Sequence, residues 1–276
     1  MKKTIIQIYE VQKPKEAQTL VDLGVNHIGS VLVDQTQWKK PAIRKTVQVI
    51  QQSGARSGLI PLFQDPIKIF QAIDYYQPDF VHFCEVLSPF PGDHASMIRE
   101  YDALLSLQLD VKDRFPRVDI MRSLSVPLPG LPQPEDIQKN ILGFAERFAP
   151  FSDYFLIDTL IWNPEGASGQ PVPGYVGITG AVCDRNMARA VIEASPIPVV
   201  LAGGLSGQNV FDAIVSLKPA GVDSCTQTNA VDRNGRPVRF KKDMKKVRRF
   251  VEEVRRADRF VQGEGFAEQC IDAKRI

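Results

Sequence analysis

Short β-branched runs alternate with stretches of helical periodicity along the whole chain, and eight such units follow one another. The runs are TIIQIY (4–9), NHIGSVLV (26–33), SGLIPLF (57–63), DFVHFC (79–84), RVDIMRSLSV (117–126), FLIDT (155–159), PVVLAGG (198–204) and AGVDSCT (220–226). Helical patterns lie between them, among them 42–54, 93–112, 135–148 and a closing helix at 241–256. A strand–helix–strand unit returns each strand in the same direction, so the sheet must be parallel. Eight evenly spaced units in 276 residues, close to the roughly 250 typical of such folds, predict one closed (β/α)8 TIM barrel over 1–276. An open doubly wound sheet is the competitor, and the even spacing argues against it. Residues 258–276 carry no strong pattern and read as a C-terminal tail.

Composition narrows the function classes. Net charge is +2, which gives no global field for nucleic acid or a membrane surface. The closing helix has eight Lys or Arg in sixteen residues, but Met244, Val247, Val251 and Val254 fall at helical spacing toward the barrel. Without interleaved aromatics the charges read as a solvated face. Cys84, Cys183, Cys225 and Cys270 are far apart, with no CxxC pair, and the three histidines have no ligand spacing, so no metal or cofactor is expected. The apolar run in MKKTIIQIYEV is too short for a signal peptide or a membrane span. The expectation is a soluble, cytoplasmic protein, monomer or homodimer, acting on a small molecule.

A parallel barrel builds its active site at the C-terminal ends of its strands. Asp158 ends an apolar strand, where a buried carboxyl needs partners or a function. Gly203 and Gly204 turn the chain into a helix, a place suited to a phosphate. His82 and Cys84 share strand parity and face the same way; His82 is a candidate base, as is Glu85 at the strand end. Arg122 on the fifth strand, and Lys39, could meet a substrate carboxylate. Asp184 could touch substrate or cap the helix at NMARAVIEA. Residues 162–177 form a long, glycine-bearing loop at the rim, which suggests a mobile lid. His27 could be core or rim.

These rim segments resemble the phosphoribosylanthranilate isomerase family, a ribulose-phosphate-binding type of barrel. The family's LLDS corresponds to Leu156-Ile157-Asp158-Thr159, its GGTGKTFDW to GITGAVCDR (177–185), and its LAGGLxxxNV to LAGGLSGQNV (201–210). Its GVDVSSGVE is similar to GVDSCTQTN (221–229), its KICG to QIYE (7–10), and its VQLHGDE to VHFCEVL (81–87). The likeness implies an Amadori rearrangement of a phosphoribosyl amine in tryptophan synthesis. In the family a cysteine in KICG takes the C2′ proton, and the aspartate of LLDS protonates the ring oxygen. Carried over, Asp158 is the acid, while Gly180, Gly203, Gly204, Thr226 and Gln227 hold the phosphate.

Several positions depart from that pattern. The base cysteine is Tyr9, whose usual pKa of about 10 suits a donor more than a base. The preceding lysine is Gln7, the lid lysine is Ala181, and the arginine of the family's SPR turn has no match in DQTQWKKPAIR. The acid and the glycine cradle persist, while the base and the carboxylate clamp do not. The expectation is an isomerase of a phosphorylated ribose-type substrate with a base drawn from Tyr9, His82 or Glu85. The alternatives are a paralogue with another phosphosugar reaction, a lyase or epimerase, and a non-catalytic phospho-ligand binding protein.

Overall fold

Eight parallel strands close into a barrel in a computed structural model that describes residues 3–90, 94–130, 134–162 and 169–263. The strands and helices alternate as β1 (Ile5–Ile8), α1 (Pro14–Asp22), β2 (His27–Leu32), α2 (Pro41–Gln52), β3 (Arg56–Pro61), α3 (Pro66–Tyr76), β4 (Phe80–Phe83) and α4 (His94–Arg114). They continue as β5 (Asp119–Pro127), α5 (Pro134–Phe148), β6 (Tyr154–Leu160), α6 (Arg185–Ala194), β7 (Val199–Leu201), α7 (Val210–Leu217) and β8 (Gly221–Ser224). β8 pairs with β1, with Gln7 opposite Asp223, and this pairing closes the barrel. The expected eight-stranded barrel is thus the fold.

The helices start where local chemistry starts them. Proline stands in the first turn of α1, α2 and α3, where its missing N–H would be unpaired in any case. Asp65 caps α3 through the N–H of Lys68 at 3.2 Å. After β8 a short antiparallel ribbon, β9 (Asn229–Val231) with β10 (Pro237–Lys242), precedes α8 (Met244–Val261). The helical pattern expected from 241 begins later because Asp243 caps α8 through Lys245 and Lys246, with residues 237–242 extended before it. The expected tail boundary at 258 is also too early. Asp258 is buried, and Thr4 Oγ1 donates to its carboxylate at 2.5 Å across the bottom of the barrel.

Strand parity sorts side chains into two layers, one inside the barrel and one against the helices. On β4 and its exit, His82 and Cys84 line the interior cavity. Their alternate neighbour Glu85 faces the helix layer, where Arg122 Nη1 donates to its Oε2 at 2.6 Å. Arg122 is fully buried; its Nε donates to Gln108 of α4 at 2.6 Å, and its guanidinium lies 5.4 and 5.1 Å from the Phe83 and Phe148 ring centres. This pair holds α4 and α5 to β4 and β5. A buried charge without its partner destabilises by roughly 3–5 kcal/mol. Glu85→Gln, which keeps the shape and removes the charge, should lower stability by about that much in equilibrium urea unfolding. A loss under about 1 kcal/mol, as for an exposed pair, would show that the ion pair does not hold this layer.

Candidate active site

The C-terminal ends of β1, β6 and β8 bring Tyr9, Asp158, Asp223 and Cys225 to one cavity of about 50 Å³ at the barrel mouth, which His82 and Cys84 of β4 also line. Its apolar walls include Val31, Ile60 and Leu62. Of the 162–177 loop, Trp162 and residues 169–177 are described, and Tyr175 and Val176 line the cavity. Val176 N donates to Cys84 O at 2.8 Å and Val86 N to Gly174 O at 2.9 Å, an antiparallel bridge across the exit of β4. Residues 163–168 of the expected lid lie outside the described residues. Segment 177–184, an apolar run in sequence, is a loop because Gly177, Ile178 and Gly180 all take positive φ. Gly177 lies against the Asp158 carboxylate with no room for a Cβ.

A second pocket opens beside the first and shares Asp158, Asp223 and Cys225 with it. Gly180, Gly203, Gly204, Thr226 and Gln227 line it, so the five residues expected around a phosphate do come together. Gly203 and Gly204 adopt φ of 75° and 62°. A Cβ on Gly204 would stand 2.8 Å from the Gly180 carbonyl, so only glycine lets the two turns meet. Gln227 Nε2 donates to that carbonyl at 2.9 Å. Thr226 Oγ1 is buried with no hydrogen-bond partner among the described residues, and it stands in this pocket.

Burial governs the electrostatics. It raises Asp158 to about 6, against N–H groups of Thr159 and Gly203 that hold its carboxylate. Burial and then the charge of Asp158 raise Asp223 to about 8, opposed by a Gln7 hydrogen bond and by Lys242. Tyr9 is pushed well above the usual phenol range by burial and by Asp223, and its hydroxyl donates to the Met121 sulfur at 3.6 Å. It is a donor at neutral pH. Burial, aided by Arg122, pushes His82 down to about 3, and its Nε2 is engaged with Ser123 Oγ at 2.8 Å. The expectation of a His82 base titrating near neutrality is therefore corrected. Burial pushes Cys84 and Cys225 up, and Cys183 to about 12, so these thiols stay protonated. His27, left open by the sequence, packs lower in the barrel against Phe80.

The expectations for Glu85, Arg122 and Lys39 are corrected, and Asp184 takes the second of its two readings, the helix cap. Glu85 and Arg122 point away from the cavity, by the parity described above. Asp184 caps α6, accepting from Asn186 N at 2.9 Å and Met187 N at 3.0 Å. Lys39 stacks on Tyr75, 4.9 Å from its ring centre, outside the barrel. Among the described residues, no lysine or arginine lines the mouth cavity. Sequence reasoning missed Asp223, although its signal was present: it alternates with Cys225 on the eighth run, so both face one way. Also missed were Glu10 and Ile178, which line the mouth at φ 64° and 62°. Glu10 Oε1 accepts from Arg239 Nε of β10 at 2.5 Å.

Comparison with known proteins places this arrangement. Residues 134–253 match the family model of N-(5′-phosphoribosyl)anthranilate (PRA) isomerase. A relative from Methanocella arvoryzae named N-(5′-phosphoribosyl)anthranilate isomerase is 30% identical over 179 residues, 64% of this chain and 75% of that protein. The chain belongs to the phosphoribosylanthranilate isomerase family. A Methanosarcina acetivorans protein of the same name is 25% identical over 92% of this chain and 94% of its own length. The structure of the isomerase from Pyrococcus furiosus shares the fold at a TM-score of 0.62 and 21% identity, covering 92% of this chain and 99% of that one. Glu10 and Ile178 stand where the family motifs KICG and GGTG carry glycine, and both hold a positive φ here.

A signed pH effect follows from the two acids. Folding raises both carboxyls above the usual 3.8, so the folded chain binds their protons more tightly than the unfolded chain. Their contribution to stability is present below about pH 4 and is lost as pH rises through about 6 and then about 8. Asp223→Asn should therefore unfold at a higher temperature than the wild type at pH 8, with the difference shrinking toward pH 4. Thermal melts across that range would contradict the assignment if the variant were less stable at pH 8.

Proposed function

We propose that this chain is a phosphoribosylanthranilate isomerase, carrying out the Amadori rearrangement of tryptophan biosynthesis on a small phosphorylated substrate. One observation carries the reading: Asp158, a carboxyl raised toward neutrality, shares a pocket with the Gly203–Gly204 turn and the unpartnered Thr226 hydroxyl. The phosphate is held by the backbone of that turn and by Thr226, next to the acid that must reach the sugar ring. The apolar mouth formed by Val31, Ile60 and Leu62 receives the aromatic ring. Asp158 protonates the ring oxygen and opens the furanose. Its raised pKa keeps a useful fraction protonated near neutral pH while leaving it acidic enough to give the proton up.

A second reading, a related phosphosugar lyase or epimerase, or a non-catalytic phospho-ligand binding protein, draws on one feature. The mouth carries acids and no described cation to meet an anthranilate carboxylate. Turnover decides between them. Purified protein should convert phosphoribosylanthranilate, and Asp158→Asn should lower kcat by about 10²–10⁴-fold. A wild type that binds phosphate without turnover would leave only the second reading. The cradle is tested separately. Inorganic phosphate should raise the melting temperature of the wild type, and the isosteric Thr226→Val should weaken phosphate binding by about tenfold, since a hydrogen bond to a charged group contributes roughly 1.5–3 kcal/mol. Equal shifts in both proteins would remove Thr226 from the phosphate site.

A further inference from the structure

Asp158 gives a proton in the proposed reaction, and the C2′ proton needs a different group to take it. Tyr9 stands at the family's base position but holds its own proton, and His82 is tied to Ser123 through Nε2 and burial leaves it a weak base. Glu85 faces the helices, and the Glu10 carboxylate at the mouth is held by Arg239. Asp223 is what remains. It is 5% exposed, lies on β8 opposite Gln7 of β1, and lines both the mouth cavity and the phosphate pocket. Its Oδ1 is buried with no hydrogen-bond partner among the described residues. A buried carboxyl oxygen without a partner, on a residue that lines both pockets, is an acceptor kept open.

We infer that Asp223 is the general base of this chain, taking the C2′ proton in place of the family's cysteine while Asp158 serves as the acid. The inference rests on the isomerase reading above. Asp158 transfers its proton to the ring oxygen, the C1′–O bond breaks, and the nitrogen lone pair forms a C1′=N⁺ bond. Asp223 then removes the C2′ proton. The C2′–H electrons form C1′=C2′, and the C=N⁺ electrons return to nitrogen to give an enolamine. Ketonisation moves the C2′ hydroxyl proton to the now ionised Asp158 and returns the proton of Asp223 to C1′. Both carboxyls are reset, and substrate and product have the same atoms.

Other groups support this division. The charge of Asp158 raises the proton affinity of Asp223, so near neutral pH the pair holds about one proton. In the free protein it rests mainly on Asp223, and the reactive form is the one with the proton on Asp158 and Asp223 ionised, which pairs the stronger acid with the stronger base. The charged and titratable groups around Asp223 are Asp158 from β6, Tyr9 and the Arg239-bound Glu10 after β1, His82 and Cys84 from β4, Cys225 beyond β8 and Lys242 from β10. Tyr9 and Cys225 stay protonated, and Lys242 Nζ is engaged by Cys225 O at 3.0 Å and Asn229 Oδ1 at 2.6 Å. The aspartates are therefore the groups left to titrate within the reaction.

The test is the pH dependence of phosphoribosylanthranilate turnover by the wild type, Asp223→Asn, Asp223→Glu and Tyr9→Phe. Asp223→Asn should lower kcat by about 10²-fold or more, with KM changed far less and with the phosphate-induced rise in melting temperature kept or increased, since a carboxyl beside the phosphate becomes a neutral amide. Asp223→Glu should recover part of the rate and shift the acidic limb of the profile, which a structural role for Asp223 would leave in place. Tyr9→Phe should cost much less than Asp223→Asn. An active wild type whose Asp223→Asn variant keeps more than about a third of kcat would overturn the assignment and leave the isomerase reading standing. A wild type that binds phosphate and gives no turnover would overturn the isomerase reading, and this assignment with it.

Discussion

Each barrel strand sends alternate side chains inward and outward, and closure of the eight strands leaves no freedom over which is which. This constraint separates chemistry from packing in the molecule. His82 and Cys84 reach the cavity, whereas Glu85, one position on, enters the helix layer and pairs with Arg122. Asp223 and Cys225 reach the cavity together, and Ser224 between them donates to Leu205 O at 2.7 Å outside it. A shift of one residue in the β8–β1 register would exchange the layers and remove the carboxyl from the site.

The same closure makes the site electrostatically demanding. Asp158 and Asp223 stand in a cavity of about 50 Å³, and burial raises both. Such a pair works against the fold at neutral pH and is what an acid–base mechanism uses, a familiar conflict between stability and activity. Glu10 and Ile178 add to it. Each holds a left-handed backbone that glycine would adopt without strain, at roughly 1–3 kcal/mol apiece. Arg239 of the β9–β10 ribbon meets Glu10 and offsets its charge. The β9–β10 ribbon and the mouth are thus joined through this ion pair.

Much of the fold was legible in the sequence because it is written in periodicity. Alternating β-branched runs and helical stretches led to a closed parallel barrel, and the LAGGL turn led to the cradle formed by Gly180, Gly203, Gly204, Thr226 and Gln227. The β9–β10 ribbon was missed, although Asn234-Gly235 between extended residues is a hairpin signal. It was hidden by the strongly basic helix pattern that follows. Site roles were less legible, since residue type does not reveal surroundings. Arg122 reads as a ligand for an anion until the Glu85 carboxylate is seen against it, and Asp184 reads two ways until the N–H groups of α6 are seen. His82 has the right chemistry in water and the wrong one when buried.

The central claim is that a phosphorylated sugar lies between the glycine cradle and the two aspartates. The most direct measurement is a crystal structure with a non-isomerisable product analogue bearing the 5-phosphate. The phosphate should sit against Gly203–Gly204 with Thr226 Oγ1 as a donor, the C2 carbon within reach of Asp223 Oδ1, and the C4 oxygen beside Asp158. A phosphate bound elsewhere, or a sugar whose C2 turns away from both carboxyls, would contradict the account.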